Sequence, residues 1–371
     1  MWFIKRLAYI LPLSLLVGAI AYAIPTGRGV GSFMVTTIAG SGIKGILDDH
    51  KMKARFNWPT GIAVDQEGII YIADFANNAI RRIGADGYVT TIAGGQVPGF
   101  ADGQGSGALL RGPDNITIDT SGNLFFADAD NFRIRKLRRD GYVTTVAGSG
   151  QPGYKDGDAH TAMFGYPTGA AVDSKGNLYV ADRQTHTVRR ITTDGVVHTI
   201  GGNGHPGFLD GKGLDTHLRE PISVAVDDRG IVYVADSGNN AIRKITPDGR
   251  LSTVAGGREK GYRDGRGKDA LFAWPTGIAL DAIGNIYVCD SLNHRIRRVT
   301  PDGVVSTVAG GSLPGASDGY GYYARFNFPT GIYVDRAGSI YIADSGNNRI
   351  RKISQGGIIE TRGAETSTLS L

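Results

Sequence analysis

Aspartate and arginine recur along this chain at a fixed interval, and they are the first residues whose types and spacing could do chemistry. One carboxylate series is Asp65, Asp119, Asp173, Asp227, Asp281 and Asp335; a second is Asp74, Asp128, Asp182, Asp236, Asp290 and Asp344. Arg81, Arg135, Arg189, Arg243, Arg297 and Arg351 keep the same spacing. Paired charges can build a binding site, but a group needed once for catalysis is not needed six times. Carboxylates at strand ends hold loop N–H groups, and guanidinium forks can pair with them between repeats, so these series are expected to be scaffold. Further carboxylates stand in Asp102-Gly103, Asp156-Gly157, Asp210-Gly211, Asp264-Gly265 and Asp318-Gly319. Calcium takes carboxylates and carbonyls from such loops. Only Asp156-Gly157 is followed by a second carboxylate, Asp158, and no clustered Asp-x-Asp series accompanies them, so they are expected to form turns and cap a short helix, with no cofactor. The seven histidines, at 50, 160, 186, 198, 205, 217 and 294, are nowhere paired on one strand at metal-ligand spacing, and no metal is expected. Cys289 occupies the place of Ala73, Ala127, Ala181, Ala235 and Ala343, which makes it a small core residue rather than a reactive thiol. No P-loop is present, and the one G-x-S-x-G match, Gly315-Ala316-Ser317-Asp318-Gly319, is the repeat's own Asp-Gly connector rather than a nucleophile elbow, so no catalytic set is expected.

The elements that position these residues follow from the repeat. Pro59, Pro113, Pro167, Pro221, Pro275 and Pro329 stand 54 residues apart without insertion. Glycine is 56 of 371 residues, about twice its usual ~7% share, which suits many short strands joined by tight turns. In the fourth unit the strands fall at Ile222–Asp227, Ile231–Asp236, Ala241–Ile245 and Arg250–Ala255, with Asp228-Arg229-Gly230 and Pro247-Asp248-Gly249 as hairpin turns. Four antiparallel strands repeated six times predict an all-β, six-bladed propeller. The segment VTTIAG at 35–40 is an extra copy of the fourth strand. Residues 33–39 are therefore expected to complete the last blade and latch the ring, because a blade left open exposes its edge. A weak seventh copy, at 358–362, either competes for that place or adds a fifth strand.

Residues 1–24 carry Lys5 and Arg6, an apolar run and Ala21-Tyr22-Ala23, the pattern of a signal peptide or an uncleaved signal anchor. Residues 25–32 read as a linker, 33–363 as the propeller and 364–371 as a polar tail. Either reading of the leader puts the chain outside the cytoplasm, in the periplasm or the extracellular space, with membrane contact only if the leader stays attached. The net charge of +5 includes two leader charges, and no polybasic run exists, so nucleic acid is not an expected partner. One cysteine excludes an internal disulfide, and a monomer is expected.

The stretch PTGIALDAIGNIYVCDSLNHRIRRVTPDGVVSTVAG (275–310) resembles an NHL repeat. The resemblance extends over residues 33–363 and is to the extended form with a "GxxDGxGxxAxF" connector, here Gly261-Tyr262-Arg263-Asp264-Gly265 before Ala270 and Phe272. It implies a six-bladed propeller but no single function, since such propellers act as protein- or RNA-binding platforms and as sensors, and related ones as lyases or esterases. The lyases' zinc histidines have no counterpart on the innermost strands, Ile62–Asp65 and its equivalents. Of the acidic and amide residues that lactonase propellers need low in the tunnel, only Asn115 falls at such a place.

Function on a repeated scaffold is sought where repeats differ. After the anchoring proline, four units have Thr-Gly, but the second has Asp114-Asn115 and the fourth Ile222-Ser223. The loop after the second strand reads Asp182-Arg183-Gln184-Thr185-His186 in the third unit and Asp128-Ala129-Asp130-Asn131-Phe132 in the second, while the first carries Phe75. The third connector holds Asn203-Gly204-His205. Asp114, Asn115, Asp130, Arg183, Gln184, His186 and His205 are thus the expected ligand-binding residues, on one side of the central depression. The expected function is a binding module for a protein or glycan partner. The alternative is an enzyme, a lyase or a lactonase- or esterase-like hydrolase, working at the tunnel mouth.

Overall fold

The structure, a computed structural model, describes residues 33–355. The expected leader and linker, the copy at 358–362 and the polar tail lie outside the described residues.

Each unit folds into one sheet, and six sheets make the ring. In blade one the strands are Pro59–Val64, Ile70–Asp74, Ala79–Ile83 and Tyr88–Gly94, antiparallel in sequence order from the axis outward. The first hairpin closes because Asp65 Oδ1 accepts the N–H groups of Glu67 and Ile69, both at 2.9 Å. The third residue of that turn needs a positive φ, and Gly68 supplies it at 81°. Every blade repeats this device, which accounts for the first Asp series.

The blades have five strands rather than the four expected. The extra strand is a two-residue piece of the connector that lies outermost, such as Asp49–His50 in blade one and Gly103–Gln104 in blade two. The short helix expected beside it is a single 3₁₀ turn, as at Gly105–Gly107 and Gly267–Asp269. The connector aspartates do not cap these turns. Asp102 instead takes the guanidinium of Arg135 at 2.8 Å and the hydroxyl of Thr145 at 3.0 Å.

The expected latch is present. Phe33–Ala39 lies antiparallel between Arg349–Gln355 and Gly319–Tyr320, completing blade six. It also reproduces the chemistry of a fourth strand. Thr37 donates its N–H and hydroxyl to Asp318, as Thr91 does to Asp48 in blade one. Val35 and Ala39 of the latch are fully buried.

Hydrophobic packing runs between blades. Phe56 sits with Ile62 and Ile72 of blade one and with Tyr341, Ala343 and Ile350 of blade six. Phe326 wedges between blades five and six in the same way. Burying each such side chain contributes ~1.5–3 kcal/mol.

The second Asp series and the Arg series form one buried network per blade. In blade one, Arg81 reaches Asp74 and Asp48, both at 2.7 Å, and the carbonyls of Arg55 and Leu47, both at 3.0 Å. Asp74 also accepts from the Asn57 N–H at 2.8 Å and from Asn77 at 2.7 Å. Burial pushes the Asp74 carboxyl up to about 6, against the pull of Arg81, Asn57 and Asn77. Pairing runs within a blade, not between blades as the sequence suggested, because the connector that brings Asp48 belongs to the same sheet. Each buried charge is compensated, and only the Nε of Arg81, Arg135, Arg243, Arg297 and Arg351 is left without a hydrogen-bond partner among the described residues, so the network reads as scaffold. Cys289 is fully buried with its thiol pushed well up by desolvation, a core position.

Candidate functional site

The loops after the second strands and the ends of the connectors meet around the axis on one face. The residue before each anchoring proline forms a collar there: Trp58, Gly112, Tyr166, Glu220, Trp274 and Phe328. Five of the six adopt left-handed backbone, with φ of 56° at Trp58, 60° at Gly112, 47° at Glu220, 55° at Trp274 and 50° at Phe328. Such a conformation costs energy for a bulky residue and needs an external hold. The preceding blade provides it by accepting each N–H. Asn348 accepts from Trp58 at 2.9 Å, Asn78 from Gly112 at 3.0 Å and Asn240 from Trp274 at 2.9 Å. His186 accepts from Glu220 and His294 from Phe328 through Nδ1, both at 3.1 Å. Burial holds both imidazoles below their usual range, so each stays neutral and able to accept.

The exception explains itself. Blade two carries Phe132 where an acceptor is required, so Tyr166 does not turn left-handed and gives its N–H to Asp182 at 2.8 Å. Asp182 consequently stands 3.5 Å from Arg189, whereas its counterparts lie 2.5–2.8 Å from theirs.

Two further sets of hydrogen bonds tie neighbouring blades, and neither is complete around the ring. Thr168 donates to the Ile222 carbonyl at 2.7 Å, Thr276 to that of Thr330 at 3.3 Å and Thr330 to that of Thr60 at 3.2 Å. Thr60 should do the same towards blade two. There the chain bulges at Asn115, whose φ is 42° and where the strand register shifts between Asp114 and Ile116. The carbonyl is displaced, and the buried Thr60 hydroxyl, 8% exposed, has no partner. In the second set, Ser291 donates to the Pro329 carbonyl and Ser345 to that of Pro59, both at 2.6 Å, and Ser237 bonds Pro275 likewise. Blades one, two and three replace that serine with Phe75, Ala129 and Arg183.

These departures open onto one cavity of about 350 Å³, with Trp58, Phe75, Tyr166, Trp274 and Phe328 in its walls and Thr60, Asp114, Asn115, Arg183 and Ser223 among its polar lining. Trp58 and Phe328 pack with ring centroids 5.7 Å apart. Asn115 Nδ2 donates to Ser223 Oγ at 3.2 Å, linking blade two to blade four. Arg183 lies 5.6 Å from the Trp274 ring centroid and 3.3 Å from the Glu220 carboxylate. The half-buried Asp114 takes the Asn115 N–H at 2.8 Å and makes no ion pair among the described residues. Burial pushes its carboxyl up to about 6, against the pull of the Thr60 hydroxyl, the Asn115 N–H and nearby Arg183, while Asp130 adds to the rise. Burial and the Asp130 and Asp114 carboxylates likewise push the Tyr166 phenol up.

Of the expected residues, Asp114, Asn115 and Arg183 converge on the cavity, and Asp130 stands beside Tyr166 and Gly112 at its edge. Gln184 lines a separate hollow with Tyr154 and Gly204. His186 serves as the backbone hold described above. His205 is exposed in its connector, with its N–H on Asn203. Sequence reasoning missed the aromatic collar and Thr60. The collar was readable in the residues before each proline; the Thr60 hydroxyl was not, since four units share that threonine. A larger hollow of about 660 Å³ opens at the opposite end of blades one and two, but its Arg139 and Arg138 pair with Glu67 and Asp140. Among the described residues, no cluster of three His, Cys, Asp or Glu could hold a metal ion, and no helix is long and apolar enough to cross a membrane.

Comparison with known proteins follows this geometry. The NHL repeat family model matches residues 56–83, 164–191, 218–245, 272–299 and 326–353, which are blades one, three, four, five and six. NHL repeat-containing protein 2 of Homo sapiens is 31% identical over 284 residues, covering 66% of this chain and 39% of that protein. Protein SUPPRESSOR OF QUENCHING 1, chloroplastic, of Arabidopsis thaliana is 29% identical over 285 residues, covering 71% of this chain and 27% of that one. The chain thus spans well under half the length of these relatives. Among solved structures, an auxiliary nutrient binding protein from Bacteroides thetaiotaomicron superposes with a TM-score of 0.67 at 21% identity, over 88% of this chain and 77% of that one. A gluconolactonase from Xanthomonas campestris reaches 0.57 at 13% identity, over 86% and 89%. At such identities these structures share the fold alone. Five of the six units match the NHL repeat, and the chain is an NHL-repeat propeller of six blades.

Proposed function

We propose that the protein is a binding module whose ligand, a protein or glycan partner, sits in the collared cavity at the mouth of the ring. The single observation that carries this reading is the convergence of departures from the repeat. Asp114-Asn115, Arg183, Phe75 and Phe132 each break a hydrogen bond that other blades keep; the first three sets line one cavity, and the fourth reaches it through Tyr166, whose N–H it leaves without the usual hold. A ring closed by its own first strand is a rigid platform, and loops on rigid elements suit recognition. The residues at 1–24, read as a leader, support a place outside the cytoplasm, and the auxiliary nutrient binding protein offers a precedent for binding on this architecture.

The test is recovery of partners from the native envelope fraction with wild type and with an Asp114→Asn, Arg183→Ala double variant. Loss of a recovered partner at an unchanged melting temperature supports the reading. Identical recovery by the two proteins removes the cavity as the binding site.

A further inference from the structure

Two carboxylates at this cavity region make no ion pair among the described residues, although Arg183 is near enough to act on Asp114, and that imbalance indicates what the cavity takes. Arg183 is the cation in its lining, and its guanidinium already holds Glu220 at 3.3 Å and lies over Trp274. Neither Asp114 nor Asp130 makes an ion pair within 4.0 Å among the described residues. A carboxylate removed from water without a partner is unstable. Elsewhere in this molecule the rule is obeyed strictly: each buried Asp of the second series has its own arginine.

The walls point the same way. Trp58, Trp274, Phe75 and Phe328 present aromatic faces or edges, and aromatic faces attract cations most strongly where water is excluded. A second, independent feature marks the floor as unfinished. The Thr60 hydroxyl is 8% exposed, makes no inter-blade hydrogen bond among the described residues, and lies against the Asp114 carboxyl, on which it pulls as a donor though off ideal hydrogen-bond geometry. An N–H donor entering between them would satisfy both oxygens. A neutral saccharide could stack on the rings, but it would leave the Asp114 charge uncompensated.

We propose that the ligand presents an aliphatic ammonium group to Asp114, with its methylene stem held against the tryptophans of the collar. This rests on the cavity being the binding site and deepens that reading by naming the ligand's charge. The cavity is then a cation receptor built where two inter-blade locks were given up.

Two of the three tryptophans, Trp58 and Trp274, stand at the cavity, so tryptophan emission reports its occupancy. The full-length protein is titrated with butylammonium, tetramethylammonium, methyl glucoside and acetate. The expected result is a saturable change with the ammonium ions alone, at least tenfold weaker in Asp114→Asn and about twofold to fivefold weaker in Asp130→Asn. Affinity should also fall about tenfold per pH unit below about 6, as Asp114 is protonated. The charged and titratable groups around it are Arg183, Glu220, Asp130, Tyr166 and His186, and His186 gaining a proton in the same range would reinforce the loss. Thermal melting of each variant establishes that it is folded. Ammonium binding that survives unchanged in a folded Asp114→Asn overturns the proposal, as does no saturable ammonium response. Saturation by methyl glucoside alone also overturns it, yet leaves the cavity standing as a binding site. Partner recovery that ignores both Asp114 and Arg183 would remove the site itself.

Discussion

Blades four to six and blades one to three are built from the same repeat, yet they close differently on the axis. In the first group Ser237, Ser291 and Ser345 each donate to the prolyl carbonyl of the next blade. In the second group the same position holds Phe75, Ala129 and Arg183, and none of these can replace that bond. The threonine lock does not follow the same division: it is intact from Thr330 to Thr60 and from Thr168 to blade four, but lost from Thr60 to blade two and absent at Ile222. The buried ion pair is tight at Asp290 and Arg297, at 2.6 Å, and loose at Asp182 and Arg189, at 3.5 Å. The lesson is that polar groups committed to inter-blade locks, like Ser237, Ser291 and Ser345, can only hold the ring together. Recognition needs groups left unsatisfied, and they accumulate on one side because each lock spans two blades.

That contrast can be broken first at the latch. Deleting residues 33–39 removes a whole strand with Val35 and Ala39 from the core and strips Asp318 of the Thr37 bonds. A fall in melting temperature of more than about 10 °C is expected by calorimetry; an unchanged melt would mean the ring does not depend on its first strand. Next in size, Arg297→Ala leaves the buried Asp290 and the exposed Asp264 without their partner and should cost about 3–5 kcal/mol in denaturant unfolding, chiefly through Asp290. Arg189→Ala should cost less, since Asp182 keeps the Gly165 and Tyr166 N–H groups. Equal losses would erase the distinction between the two halves.

A smaller effect is expected from restoring symmetry. Arg183→Ser reintroduces the missing lock and should stabilise by up to about 1 kcal/mol while abolishing partner recovery; a Ser291→Ala change in the intact half should cost a similar amount and leave recovery alone. The smallest effect concerns pH. The Asp114 carboxyl is raised to about 6 from its usual 3.8, so the folded protein prefers it protonated. Its ionised form therefore disfavours the fold above pH 6, and that penalty disappears as pH falls from 6 towards 4. Asp114→Asn should be more stable than wild type at pH 7 by about 1 kcal/mol after allowing for solvent screening. The gap should close by pH 4; a gap that is constant with pH would show that Asp114 titrates normally.

Much of this was legible in the linear chain, for definite reasons. The interval between Pro59 and Pro113 counts the sectors, and the extra VTTIAG before the first complete unit requires a latch, because hydrogen bonding leaves no other place for it. Asp114, Asn115 and Arg183 were recognisable as departures by alignment of the repeats alone. His186 misled, because a histidine in a variable loop looks like a ligand group, whereas its Nδ1 does the work that asparagine does at Asn78. Gln184 and His205 vary for no reason the structure explains.

The sequence by itself determined the number of blades, their strands, the turns at Gly68 and its equivalents, and the closure by residues 33–39, since these depend on local period and on edge pairing. Only the tertiary structure decided that the aspartate and arginine series pair inside a blade, that the residues before the prolines form an aromatic collar, and that Thr60 is left without a partner. Those outcomes depend on contacts between residues tens to hundreds of positions apart, such as Trp58 with Asn348, and on where one bulge turns a carbonyl away. No local pattern encodes either.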